Sequence, residues 1–300
     1  MEARHITIIG GANTDISGVP SGPFAQGDSN PGRVRIGLGG VGRNIAQDLA
    51  ALGAEVSLIT ALGDDMPGRT MLEGCRALGI DMSMSLIVPG GRSPVYLYIA
   101  DERGEMKAAV SDMEIVERIT PEHLEGVISG INASDAVVID ANLGEEAIVW
   151  LAENCRAPIY ADTVSGAKAP RLRRALGSLR AIKPNLLEAR ALCGARTEED
   201  CAAELLARGV GRVFISLGPC GVLAAEGDRR VAVPCESGEV TDTTGAGDAA
   251  TAAIVWADLH GMSLEQTARA AVRAGAITSR SPGACSAELG RLFSFYTILQ

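Results

Sequence analysis

Aromatic side chains are scarce in this chain of 300 residues: two Trp, four Tyr and four Phe make up 3% of it. Its core must therefore be filled by Ala, Val, Leu and Ile. Positive charge is also in deficit. Lys and Arg total 27 against 37 Asp and Glu, a formal net charge of −10, which offers nothing to a nucleic-acid backbone or an anionic membrane surface. Both are excluded as expected partners. Cysteine is present but without pattern: Cys75, Cys155, Cys193, Cys201, Cys220, Cys235 and Cys285 are odd in number and never spaced as CxxC, so neither a disulfide framework nor a zinc site is encoded. A reducing cytoplasm is the expected compartment. No apolar run approaches membrane-spanning length, and Met1 to His5 lead into a short apolar strand without a signal-peptide core, so a soluble, untargeted protein is expected. A GxSxG hydrolase turn and a Walker pattern are missing as well. The three histidines, His5, His123 and His260, have no metal-like spacing and read as surface or cap residues.

What is present is glycine and alternation. Thirty-six glycines and 47% hydrophobic residues suit an α/β fold with many tight turns, and the length suits one large domain over 1–300. Ile6–Ile9 reads as a buried first strand ending at Gly10-Gly11. Val56–Ala61, Ala136–Ile139, Ile159–Ala161 and Val213–Leu217 read as further short buried strands, and Asn44–Leu52 as a helix stopped by Gly53. Two excursions leave this pattern. Ser17–Gly32 is rich in Gly, Pro and Ser before the one-sided strand Arg33–Ile36, and Val95–Ile99, Asp101–Gly104 and Met106–Val110 read as a hairpin. Together, over about 13–38 and 94–111, they predict a small inserted β lid.

Four segments carry chemistry. Asp242-Thr243-Thr244-Gly245-Ala246-Gly247-Asp248 precedes the Ala-rich helix Ala249–Leu259. Glycines opening a buried helix aim backbone amides at an anion, and an acid there suits proton abstraction from a hydroxyl attacking a phosphoryl group. The plainer reading is a tight turn with a helix-start charge. Gly37-Leu38-Gly39-Gly40-Val41-Gly42-Arg43-Asn44 contains GxGxxG but follows a polar-alternating strand, not the buried first strand a dinucleotide turn of a Rossmann oxidoreductase requires. It could instead admit a polyhydroxy ligand, with Asn44 donating and accepting. Asn13 and Asp15 after strand one suit vicinal hydroxyls, or form an Asx turn. Lys183-Pro184-Asn185-Leu186-Leu187-Glu188 places an amide and a carboxylate on one helix face, able to hold hydrated Mg²⁺ or only to start the helix. Beside these four, Ser216, Gly218 and Gly221 form a strand-end loop that either lies against a nucleotide or is merely a turn.

In this order, the segments resemble the ribokinase-like (PfkB) carbohydrate kinase family over nearly the whole chain. Gly39-Gly40 with Asn44 is similar to the family's first signature, and Asp242 to Asp248 to its second. The resemblance implies a three-layer α/β/α sandwich around a mainly parallel sheet, with the lid serving homodimerisation. It implies Asp248 as catalytic base, Gly245, Ala246 and Gly247 as the anion hole, and ATP and Mg²⁺ near Asn185 and Glu188, with Lys183, Ser216, Gly218, Gly221 and Thr243 on the nucleotide. Asp242, Thr244 and Ser286 become candidates for a monovalent cation, K⁺. Ser29-Asn30-Pro31-Gly32, Ser111-Asp112-Met113, Asp140-Ala141-Asn142-Leu143 and Asp162-Thr163-Val164-Ser165 with Lys168 resemble the branch that phosphorylates the 5′-hydroxyl of pseudouridine. That implies Asn13, Asp15, Gly40 and Asn44 at the ribose and Ser29, Asn30 and Lys168 at the base. Thr163 and Leu38 depart from that branch where it commonly has Pro, which bears on substrate more than on reaction. A kinase of ribose, another sugar or another nucleoside is the nearest competitor; a non-catalytic ligand sensor is the competitor of another class.

Overall fold

The computed structural model describes residues 3–235, 238 and 240–293. From the N-terminus, β1 (His5–Ile9) enters the core, and the chain then leaves it as the pair β2 (Asn13–Pro20) and β3 (Gly32–Gly39) before α1 (Val41–Ala51). There follow β4 (Glu55–Ile59), the short β5 (Ala61–Gly63), α2 (Met66–Ala77) and β6 (Leu86–Val88), then a hairpin of β7 (Val95–Ala100) and β8 (Met106–Asp112). After α3 (Pro121–Ile131) come β9 (Ala136–Asp140), α4 (Glu145–Asn154), β10 (Ile159–Asp162), β11 (Leu179–Lys183), α5 (Leu186–Cys193), α6 (Glu198–Ala207) and β12 (Arg212–Ser216). The chain ends with β13 (Val222–Glu226), β14 (Arg229–Val233), α7 (Ala246–Leu259) and α8 (Leu264–Ser279).

Eight strands form the central sheet in the order β14-β13-β12-β11-β10-β9-β1-β4. β4 through β12 pair in parallel, and β13 and β14 close one edge antiparallel. Strand periodicity sorts the core into two layers. Ile6, Ile8, Val138, Tyr160 and Phe214 pack on the side of α1, α7 and α8, whereas Ile9, Val137, Ile139, Ile159, Val213 and Ile215 face α3 to α6. The result is the expected α/β/α sandwich. Alanine lines much of α7, which is why a helix with nine buried residues fits so close to the sheet.

A second sheet, β3-β2-β7-β8, stands apart from the first, and its strands fall where the sequence suggested an inserted lid. Two helices start earlier than expected. Gly40 and Gly245 are themselves the caps, so α1 and α7 begin three residues before Asn44 and Ala249 and draw Asn44 and Asp248 into helical geometry. β11 and the β13–β14 edge had no clear sequence signal. All seven cysteines are free, and no helix among the described residues is long and apolar enough to cross a membrane.

Candidate active site

The carboxyl ends of β9, β10 and β11 carry Asp140, Asp162 and Lys183, which stand opposite one another in register. This is the edge of a parallel sheet where α/β folds gather ligands. Asp140 is fully buried; its two oxygens accept from the Gly11 and Asn142 amides, both at 2.8 Å. Burial nonetheless pushes its pKa up to about 6. Lys183 lies 3.5 Å from Asp162. Burial works to lower the pKa of Lys183, but Asp162, Glu188 and Asp248 outweigh it and raise the value. The chain has only three lysines, and Lys168 and Lys183 both stand in this region.

Above the row sits the turn into α7. Gly245 holds φ +77°, and an added Cβ would collide with the Ala284 carbonyl, so no other residue fits there. The Ala246 amide donates to the Thr243 carbonyl at 3.3 Å, which leaves Ala246 shaping the turn, while the Gly247 amide, in the helix's first turn, has no intrahelical partner. Asp248 follows. Asn44 Nδ2 donates to its Oδ2 at 2.8 Å. Burial first and the Asp162 charge second push the Asp248 pKa up to about 7 against the opposing Asn44 amide and Lys183. A carboxylate so placed is basic enough to accept a proton near neutral pH.

Asn44 is delivered by the glycine run. Gly40, φ +98°, packs 2.6 Å from the Ala12 Cα and the Gly11 carbonyl by its would-be Cβ, so the start of α1 lies directly on the turn after β1. β3 belongs to the second sheet, and the GxGxxG segment is therefore not a dinucleotide turn. Asn13 Nδ2 donates to Asp15 Oδ1 at 2.6 Å; burial raises the Asp15 pKa. Asn13 pairs with Gly39 in the ladder, which puts Asn13, Asp15, Gly40, Asn44 and Asp248 around one end of the second sheet. Asp48, one turn beyond Asn44, is buried beside the Cys285 thiol, and burial, then the Asp248 charge, raises its pKa well above the usual carboxylate range. Lys168 Nζ donates to Asn142 Oδ1 at 2.6 Å on the same side, its pKa lowered by burial.

Ser29 and Asn30 are not brought to this cluster within the chain. They lie in the loop at the far end of the β2–β3 pair, seven residues or about 23 Å along the strand from Asn13. Asn30 is engaged there: its Oδ1 accepts from the Ala25 amide and its Nδ2 donates to the Ala25 and Asp28 carbonyls. Alternation of polar residues gave no clue to how far β2 carries them.

On the other side of the Gly245 turn is a cavity of about 710 Å³. Asn185, Ser216, Gly218, Gly221, Thr243 and Gly247 line it, with Val222, Ala250, Ala271 and Val272 as apolar wall. Its size and mostly apolar lining suit a nucleotide base. Asn185 and Glu188 form a capping box on α5, in which Glu188 accepts from the Asn185 backbone amide (2.8 Å), and Glu188 accepts two further bonds, from Asn185 Nδ2 (2.8 Å) and Thr163 Oγ1 (2.6 Å). The helix-start role is thus fulfilled. Asn185 lines the cavity and Glu188 is bonded directly to it, and a single carboxylate behind the lining would suit Mg²⁺, which keeps most of its waters and takes phosphate oxygens; among the described residues no cluster of three or more His, Cys, Asp or Glu side chains stands ready to hold a metal. Asp242 Oδ1 accepts from the Thr244 amide, and Ser286 Oγ is bonded to Ser281 Oγ at 2.8 Å. Asp140, Asp162 and Thr163 entered the sequence reading only within segments that carry the resemblance, without roles of their own, and Thr251 was not singled out at all.

A basic carboxylate at a helix-start anion turn, between a polar pocket and a base-sized cavity, defines a kinase that transfers a phosphoryl group to a hydroxyl. Residues 3–289 match the family described as pfkB family carbohydrate kinase. The chain belongs to that family, and it is a sugar or nucleoside kinase. It is 36% identical to the pseudouridine kinase of Escherichia coli (strain K12) over 276 residues, 89% of this chain and 88% of that one. It is 28% identical to the ribokinase of Bacillus subtilis (strain 168) over 294 residues, 94% of each. The structure of Arabidopsis thaliana ribokinase complexed with ribose and ATP superposes with a TM-score of 0.84 at 21% identity, covering 98% of this chain and all of that one.

Proposed function

We propose that the protein transfers the γ-phosphoryl group of ATP to the 5′-hydroxyl of pseudouridine. The observation that carries the reading is the Asn44–Asp248 hydrogen bond, which fixes a carboxylate of raised pKa between the two pockets. Asp248 takes the hydroxyl proton as the oxygen attacks phosphorus. The turn Gly245, Ala246 and Gly247 and the Lys183 ammonium stabilise charge on the transferring group. Mg²⁺, held on the Glu188 side, supplies neutralisation of the phosphate oxygens when bound. Asn13, Asp15, Gly40 and Asn44 hold the ribose.

The choice of pseudouridine is supported by the 36% identical relative and by Lys168. Lys168 stands on the acceptor side, where it could read a pyrimidine carbonyl. Ser29 and Asn30 were the other base contacts expected, and their distance from the cluster favours a second reading, a kinase of ribose or another sugar.

The second sheet carries a face suited to a second copy of the chain. Ile36, Ile16, Leu97 and Val110 stand in one register row, with Val34, Gly18, Ile99 and Ala108 in the next; Val34, Ile36 and Val110 are more than 60% exposed. An apolar sheet face of this kind suits a homodimer. The free thiols suit a cytoplasmic setting. K⁺ remains a candidate ion at Asp242, Thr244 and Ser286, checked by comparing rates in potassium and sodium salts.

The test is incubation of purified protein with Mg-ATP and pseudouridine, uridine, cytidine, adenosine or ribose, reading ADP and product mass. Phosphorylated pseudouridine alone supports the reading. Turnover of ribose instead selects the second reading, and nucleotide binding without turnover of any acceptor selects a ligand sensor.

A further inference from the structure

Among the described residues Val164 is the only non-glycine residue with positive φ, at +62°. A β-branched side chain is strained there, and one carboxylate holds it. The Val164 amide donates to Asp162 Oδ1 at 2.9 Å, closing a tight turn from which the chain runs on to Lys168. The other oxygen, Oδ2, faces the opposite way. It accepts from Thr251 Oγ1 at 2.8 Å and lies 3.5 Å from Lys183 Nζ. Thr251 Oγ1 is also 3.2 Å from the Gly247 carbonyl, and a Cβ on Gly247 would stand only 3.4 Å from Lys183 Nζ. Asp162 itself is buried.

One carboxylate therefore touches the loop that leads to the acceptor side, the second turn of the catalytic helix at Thr251, whose hydroxyl also reaches back to Gly247 in the first turn, and the lysine beneath the anion turn. We propose that Asp162 is a positioning residue for phosphoryl transfer: it holds Lys183 and the start of α7 against the transferring group, and it holds the Val164 turn that presents the acceptor loop. This rests on the kinase reading above.

The charge has a distinctive consequence. With the Asp162 carboxylate 3.5 Å away, Lys183 is shared between a protein side chain and any phosphate in the turn. Removing that charge frees the ammonium to grip the ground-state polyphosphate and removes an anion from its surroundings. Nucleotide should then bind more tightly while transfer slows, because the lysine no longer stands where charge develops. A carboxylate that only stabilises the fold predicts the reverse, with affinity and rate falling together.

The experiment compares Asp162→Asn, nearly isosteric and able to keep the Val164 bond, with the wild type. AMP-PNP binding in Mg²⁺ buffer is measured by calorimetry, and kcat and KM by ADP release. The expected result is a Kd for AMP-PNP at least threefold lower, kcat at least tenfold lower, and cooperative thermal unfolding retained. A Kd that rises in parallel with the loss of kcat, or an unchanged kcat, overturns the proposal. Val164→Gly, which relieves the strain and loosens the turn, should raise the acceptor KM by a larger factor than it lowers kcat; an unchanged KM overturns the acceptor-loop half. If the wild type binds AMP-PNP but phosphorylates no acceptor, the kinase reading has failed, and the AMP-PNP affinity of Asp162→Asn alone decides whether Asp162 governs Lys183.

Discussion

The side-chain amide of Asn44 donates to the carboxylate of Asp248 across 204 positions of sequence, at 2.8 Å. One residue lies in the first turns of α1 and the other in the first turn of α7, so two glycine-capped helix starts meet over the sheet edge. Alone, the Asp248 motif had a plain alternative reading as a tight turn, and the Asn44 motif one as a dinucleotide turn. Their meeting is what a turn does not require.

Replacing the carboxylate should abolish its chemistry and spare the fold. Asp248→Asn is expected to lower kcat by about 10²–10⁴-fold, with nucleotide binding by calorimetry close to that of the wild type. Activity near wild type would show that another group takes the proton.

The raised pKa sets a pH dependence. Asp248 must be ionised to act, so kcat should rise with pH and level off above about 7. Asn44 stabilises the ionised form, and Asn44→Ala therefore raises the Asp248 pKa further. Its acid limb should move to higher pH in a kcat profile measured between pH 5 and 9; a limb that stays in place contradicts the assignment of that limb to Asp248.

The turn tolerates no side chain at Gly245. Gly245→Ala forces a Cβ into the Ala284 carbonyl at a φ of +77°, which should cost about 1–3 kcal/mol in backbone strain and weaken AMP-PNP binding. Gly247→Ala meets only Lys183 Nζ at 3.4 Å and should be milder on both counts.

The apolar face of the second sheet predicts the assembly. Ile36→Lys, a charge on the most exposed residue of that face, on its edge strand β3, should convert a dimer to a monomer in analytical ultracentrifugation, with the far-ultraviolet circular dichroism unchanged. A wild type that sediments as a monomer removes the proposed interface.

At the opposite end of the sheet, Asp258 accepts from Arg180 (2.7 Å, twice), Arg212 (2.7 Å) and Tyr160 (2.6 Å). Its side chain is only 4% exposed. Asp258→Asn removes the anion that two arginines share and should destabilise the fold by about 3 kcal/mol, read as a lower urea midpoint, while kcat at 25 °C stays near that of the wild type because the network is remote from Asp248.

Much of the site was legible because turns and helix starts have local causes. Gly245 and Gly40 are needed by backbone geometry, and the capping pair Asn185 and Glu188 is three residues apart. What escaped the sequence was any group whose role depends on a neighbour strand. Asp140 and Asp162 look like ordinary ends of apolar runs, and only parallel register sets them beside Lys183. Ser29 and Asn30 lie away from the cluster within the chain for the converse reason: nothing local to them says that eight residues of β2 carry the loop away from Asn13.

The sequence by itself determined the alternation of strands and helices, the aliphatic core, the glycine turns and the acid at the start of α7, since these follow from side-chain size, periodicity and backbone freedom. Tertiary structure decided which of those turns face each other, which carboxylates share a buried edge, and that Asp248 is basic, because burial and Coulomb interactions depend on distances between residues far apart in the chain.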